Sequence, residues 1–127
     1  MKVNVLIVDD SPILRKSIRK AVLMSGVDAE GISEAGNGAE ALESIQHKEP
    51  DLVLLDINMP GMDGWETLRL IRADQALEAM PVVMFSIKGE MRDKIEGMQE
   101  GATDYITKPF EVDHLIERVG RVLEVPR

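Results

Sequence analysis

Leu52-Val53-Leu54-Leu55-Asp56 decides the fold: four successive apolar side chains deliver a carboxylate to the tip of a segment built to be buried. A run that is apolar at every position, introduced by Pro50-Asp51, reads as a strand covered on both faces, the pattern of a parallel sheet. Val3 to Val8 is a second such segment, interrupted only by Asn4, and it also ends in acids, Asp9 and Asp10. Two strand tips can therefore bring three carboxylates together. Like charges at about 4 Å repel by about 4 kcal/mol at an effective dielectric of about 20. A hard divalent cation with oxygen ligands relieves that repulsion.

Working outward, short runs rich in Val, Ile and Leu alternate with amphipathic stretches, which gives five βα units. The first strand is expected near Val3 to Val8. Ser11-Pro12 starts a helix, with Ser11 as N-cap, Pro12 at the first helical position, and Leu14, Ile18, Ala21 and Val22 as the inner stripe. Ala29 to Ala35 reads as an edge strand, and Asn37 with Glu40 marks a second helix running to about His47. The third strand is Leu52 to Leu55. Met59-Pro60-Gly61-Met62 forms a loop to Asp63, which has Glu66 at capping-box spacing, and the helix beyond carries Trp65, Leu68 and Ile71. Pro81 opens a fourth strand, Val82 to Phe85, followed by a helix with Met91, Ile95 and Met98 that ends at Gly101. A fifth strand near Thr103 to Ile106 leads through Lys108-Pro109 to a last helix whose face is Val112, Leu115, Ile116, Val119, Val122 and Leu123. The fold class is α/β, one doubly wound domain over residues 1–127, with no linker or repeat in sight.

Open sheets of this class bind ligands beyond the carboxyl ends of their strands. Asp9, Asp10, Asp56, Ser86 and Lys108 all fall there. Asp10 alone serves as well as an acid favouring a helix N-terminus. The pair Asp9-Asp10 is surplus to a cap that Ser11 already supplies, and oxygen ligands for Mg²⁺ explain it better; the backbone carbonyl of Asn58 is well placed as a further ligand. Ser86 alone reads as a helix cap and Lys108 alone as a solvated loop residue. Together they set a hydroxyl and a fixed cation where an anion would sit, a combination suited to a phosphoryl group. Tyr105 reads as half core, with its hydroxyl near the rim.

Composition narrows the classes. The 127 residues suffice for a core without staples, and the absence of cysteine removes thiolate chemistry and disulfides. The N-terminal apolar run is too short for a signal segment or a membrane span, so the expected setting is the cytoplasm. A net charge of -8 and four aromatic residues oppose nucleic-acid binding. His47 and His114 read as surface residues outside any nucleophile triad, and Gly36-Asn37-Gly38 lacks the lysine and spacing of a nucleotide loop. Arg15, Lys16, Arg19 and Lys20 form a basic stripe, either a solvated face or a docking surface for an acidic partner.

In their order and spacing, Val8-Asp9-Asp10-Ser11, Asn37 to Leu42, Asp51 to Gly64 and Gly101 to Phe110 resemble the receiver domain of two-component response regulators, most closely the stand-alone chemotaxis type. The resemblance implies a flavodoxin-like (βα)5 sheet in strand order 2-1-3-4-5. It also implies that Asp56 accepts a phosphoryl group from a histidine kinase or a histidine phosphotransfer protein. Mg²⁺ would be held by Asp10, Asp56 and the Asn58 carbonyl, with Asp9 helping through water. Lys108 would offset charge, Ser86 and Tyr105 would act as switch residues, and a cis peptide would precede Pro109. The surface of the fourth helix, fifth strand and fifth helix would then control binding of a downstream protein. Ile87 stands where the family usually has a small residue, and Lys88 adds a cation at the pocket mouth. Both bear on phosphoryl lifetime, so Ile87→Ala is expected to change the dephosphorylation rate.

A Mg²⁺-dependent phosphatase with an aspartate nucleophile is the enzyme alternative, but the position two residues after Asp56 is Asn58 instead of a second acid. A flavin module would need a hydroxyl- and Gly-rich loop in place of Asp9-Asp10-Ser11-Pro12. A phosphorylation-independent interaction module would leave the polar constellation unexplained. A monomer is expected, with phosphorylation-dependent dimerisation left open.

Overall fold

The computed structural model describes residues 3–87 and 101–124. Five strands, β1 (Val5–Val8), β2 (Ile32–Ala35), β3 (Leu52–Asp56), β4 (Val82–Ile87) and β5 (Asp104–Lys108), make one sheet in the order 2-1-3-4-5. Every pairing is parallel. Helices α1 (Pro12–Met24) and the C-terminal helix (Val112–Glu124) pack together on one face; α2 (Gly38–His47) and α3 (Gly64–Ala73) cover the other. The sheet is therefore buried on both sides, as its unbroken apolar runs require.

Alternation along the strands divides the core. Leu6, Val8, Val53 and Leu55 point into the layer beneath α2 and α3 with Leu68 and Ile71, whereas Val5, Ile7, Leu52 and Leu54 point toward α1 and the C-terminal helix with Ile18, Leu115 and Val119. Each such side chain contributes about 1.5–3 kcal/mol by leaving water. Helix starts follow their caps. Ser11 Oγ accepts the Leu14 N–H at 3.2 Å, Asn37 Oδ1 that of Glu40 at 2.9 Å, and Asp63 Oδ1 that of Glu66 at 2.9 Å.

Several boundaries move. β1 begins at Val5, and Asn4 instead bonds with Asp51 through both its N–H and its carbonyl. Ala29–Gly31 is a 3-10 turn, so the edge strand starts at Ile32. β4 continues past Phe85 through Ser86 and Ile87, and β5 runs on to Lys108, because the backbone ladder pairs Ser86 with Thr107 and Ile87 with Lys108 whatever the side chains are. Leu14 is half-buried, lining a cleft with Pro109 and Phe110, and Val112 is exposed. The helix expected around Met91, Ile95 and Met98, together with Lys88, lies outside the described residues. No described helix is long and apolar enough to cross a membrane.

Candidate functional site

The ends of β1, β3, β4 and β5 meet at one edge of the sheet. Register puts Val8 beside Leu55 and Asp56 beside Phe85, so the next residues on, Asp9 and Ser86, flank Asp56 from the strands on either side. Asp9, Asp10 and Asp56 offer carboxylate oxygens within 4.8 Å of one another. Asp9 and Asp56 are 1% and 3% exposed, Ser86 is 3% exposed, and Asp10 is open to solvent.

Lys108, the last residue of β5, reaches back to this cluster. Its Nζ donates to Asp56 Oδ1 at 2.9 Å and to Asp9 Oδ2 at 3.1 Å. The other oxygen of Asp9 accepts the Ser11 N–H at 2.9 Å, and the Asn58 N–H approaches Asp56 Oδ1 at 3.4 Å. The Lys108-Pro109 peptide is cis.

Burial pushes the Asp56 carboxyl above the ordinary aspartate range; the Lys108 hydrogen bond and charge pull it down without cancelling that effect, and the charge of Asp9 adds to the rise. Burial works against the Lys108 charge too, but bonds to two carboxylates outweigh it and lift its pKa above that of a free lysine. The asymmetry has a simple cause. The ammonium serves two carboxylates, whereas Asp56 shares its one cation with Asp9. Three carboxylates against one ammonium leave the cluster short of positive charge by an amount that one divalent cation supplies. Its donors are hard oxygens without a thiolate, which suits Mg²⁺ better than a soft metal.

Most of the residues singled out from sequence are thus brought together: Asp9, Asp10, Asp56, Ser86 and Lys108 share the edge, with exposed Asn58 beside them. Ser86 is a buried strand residue, and Lys108 is half-buried and paired. Tyr105 departs from expectation. Tyr105 is 6% exposed with its hydroxyl buried, so it is a full core residue instead of half core; its β5 position faces the α3 layer, where the Trp65 ring centroid lies 6.4 Å away. His47 and His114 are exposed, as expected.

Two contributors were not legible beforehand. Arg15, read only as part of a basic stripe, donates Nη1 to the Asp9 carbonyl at 2.5 Å and Nε to Glu34 at 3.1 Å, bracing the turn after β1. Arg19 also pairs with Glu34, while Lys16 and Lys20 are exposed. Gly64 is the other: a Cβ there would lie 2.4 Å from the Asp56 carbonyl oxygen. The sequence signals were its place directly after the cap Asp63 and its position at the end of the Asp51 to Gly64 stretch, neither of which says what it packs against.

A profile of the response regulator receiver domain matches residues 5–120. The chain is 37% identical over 120 residues to the chemotaxis protein CheY of Bacillus subtilis, covering 94% of this chain and 97% of that protein. It is 40% identical over 120 residues to the phosphate regulon transcriptional regulatory protein PhoB of Pseudomonas aeruginosa, covering 94% of this chain and 51% of that protein. The chain spans about half the length of this and several other curated relatives that it matches. Among solved structures, the receiver domain of NtrX from Brucella abortus superposes with a TM-score of 0.86 at 34% identity, covering 97% of this chain and 100% of that one.

Proposed function

The chain belongs to the response regulator receiver domain family, and from that premise we propose that residues 1–127 are one receiver domain in which Asp56 is the phosphoacceptor. The donor is a phosphohistidine on a histidine kinase or a histidine phosphotransfer protein. An Asp56 carboxylate oxygen forms a bond to phosphorus as the P–N bond breaks, and the departing imidazole nitrogen takes a proton from solvent. The supporting observation is the Lys108 ammonium bonded to both Asp56 and Asp9: a cation fixed beside the acceptor oxygens is already aligned with the charge that gathers during transfer.

Asp10, Asp56 and the backbone carbonyl of Asn58 are the residues proposed to hold Mg²⁺, with Asp9 assisting through water. The bound ion supplies positive charge to the phosphoryl oxygens. Asp56 is kept in place by its strand, Lys108 keeps its proton, and the Ser86 hydroxyl is the group proposed to meet the new phosphoryl oxygens. Ser86 and Tyr105 then act as switch residues that alter the surface of β5 and its neighbouring helices for a downstream protein. Residues 1–127 act as a switch that catalyses only its own phosphorylation and dephosphorylation in the cytoplasm, as a monomer or a phosphorylation-dependent dimer, with no nucleic-acid or membrane contact made by these residues.

Titration with beryllofluoride and Mg²⁺, followed by fluorine NMR, tests this reading. A bound fluoride signal that Asp56→Asn abolishes is expected. Steady release of phosphate from varied phosphomonoesters would instead favour an aspartate-nucleophile phosphatase.

A further inference from the structure

The backbone that carries Asp56 is pressed against the first turn of α3 without clearance. The Gly64 N–H donates to the Ile57 carbonyl at 2.9 Å, and a Cβ on Gly64 would stand 2.4 Å from the Asp56 oxygen and 2.6 Å from Ile57 Cα. Only glycine fits here. A close-packed contact of this kind transmits displacement instead of absorbing it. The turn is stiff as well, with Asp63 capping it and Thr67 Oγ1 donating to the Asp63 carbonyl at 2.8 Å, while Leu68 and Ile71 anchor the helix in the core. The next residue after Gly64 is Trp65, whose half-buried ring packs on the cluster containing Tyr105, with centroids 6.4 Å apart and planes tilted by 39°. Ser86 lies on a different line, paired with Thr107, while Tyr105 is paired with Met84.

From this chain of contacts we infer that Gly64 and Trp65 link the Asp56 backbone to the Tyr105 ring by a route that bypasses Ser86. Trp65 is a positioning residue: it is not among the residues proposed to hold the phosphoryl group or the metal, and it braces Tyr105 against whatever shift modification of Asp56 imposes. The inference rests on Asp56 as the phosphoacceptor. It predicts that the aromatic half of the switch responds even when the hydroxyl half is removed.

Tyr105 is the single tyrosine of the chain, so nitration by tetranitromethane, compared at one pH and read as nitrotyrosine, reports on the surroundings of that ring, its accessibility and its phenol ionisation together. The full chain is assayed with Mg²⁺, with and without beryllofluoride, and site occupancy is matched by fluorine NMR. Bound beryllofluoride is expected to slow nitration at least about threefold, within reach when a ligand depletes a minor open conformer of up to about 10%. Ser86→Ala retains that slowing at matched occupancy. Trp65→Leu, an apolar change at a half-buried helix position, abolishes it while beryllofluoride still binds. Slowing in Trp65→Leu equal to that of the unaltered chain, its loss in Ser86→Ala, or an unchanged rate in the fully occupied unaltered chain overturns the link. Failure of fluoride to bind the unaltered chain removes the Asp56 reading itself, and the link with it.

Discussion

Asp56 and Lys108 are held in a balance that each can reveal when changed. Because burial raises the Asp56 pKa, the folded chain takes up a proton more readily than the unfolded chain at this position. Folding stability contributed by Asp56 therefore falls as pH rises from about 3.9, the unfolded value, through the raised folded value, and the full penalty persists above it. In chelator, Asp56→Asn is expected to raise the melting temperature at neutral pH, with the gain shrinking as pH drops below the folded pKa. A gain that is constant across pH would show that the buried charge is not its source. Lys108 has the opposite sign: its raised pKa means that its stabilisation is complete below the unfolded lysine value and is lost as pH climbs through the folded one. Lys108→Ala is expected to cost about 3 kcal/mol in denaturant melts without metal, since it strips a partner from buried carboxylates. Part of that loss should return on adding Mg²⁺.

At the scale of elements, what was legible in sequence had a local physical cause. Ser11, Asn37 and Asp63 announce their helices because a cap is satisfied within three residues of chain. Asp63→Ala should cost about 1 kcal/mol, and Leu54→Ala, which opens a cavity in a fully buried strand, about 2–5 kcal/mol; equal losses in urea melts would contradict this division. Strand ends were harder to read. Ser86 alone read as a helix cap and Lys108 alone as a loop residue because a polar side chain breaks an apolar pattern without breaking a backbone ladder. The acidic cluster was visible because two apolar runs each ended in acids, whereas the full burial of Tyr105 was not, because its aromatic neighbour on α3 is 40 residues away in the chain. Arg15 and Gly64 stayed hidden for the same reason: each matters for a tertiary approach to backbone that no local pattern encodes.

For the molecule as a whole, one sheet edge concentrates charge that the rest of the fold must hold in place. A chain of net charge -8 with three acids at one edge gains from any cation that binds only the folded form. Mg²⁺ at about 100 times its dissociation constant should add about 2.7 kcal/mol to folding stability. Asp10→Asn should diminish that increment, and an increment unaffected by Asp10→Asn would place the ion elsewhere. The same edge is proposed to receive the phosphoryl group, which sets metal and phosphoryl donor on one pocket in that proposal, with the consequences along β5.

Every role proposed for the pocket depends on Asp56 being the side chain that is modified. Mass spectrometry of peptides after incubation with acetyl phosphate and Mg²⁺ locates the modified residue. A single phosphoryl group mapping to Asp56 is expected, absent in Asp56→Asn and absent when EDTA replaces the metal. Modification that survives Asp56→Asn at another residue, or none with any small donor, would contradict it.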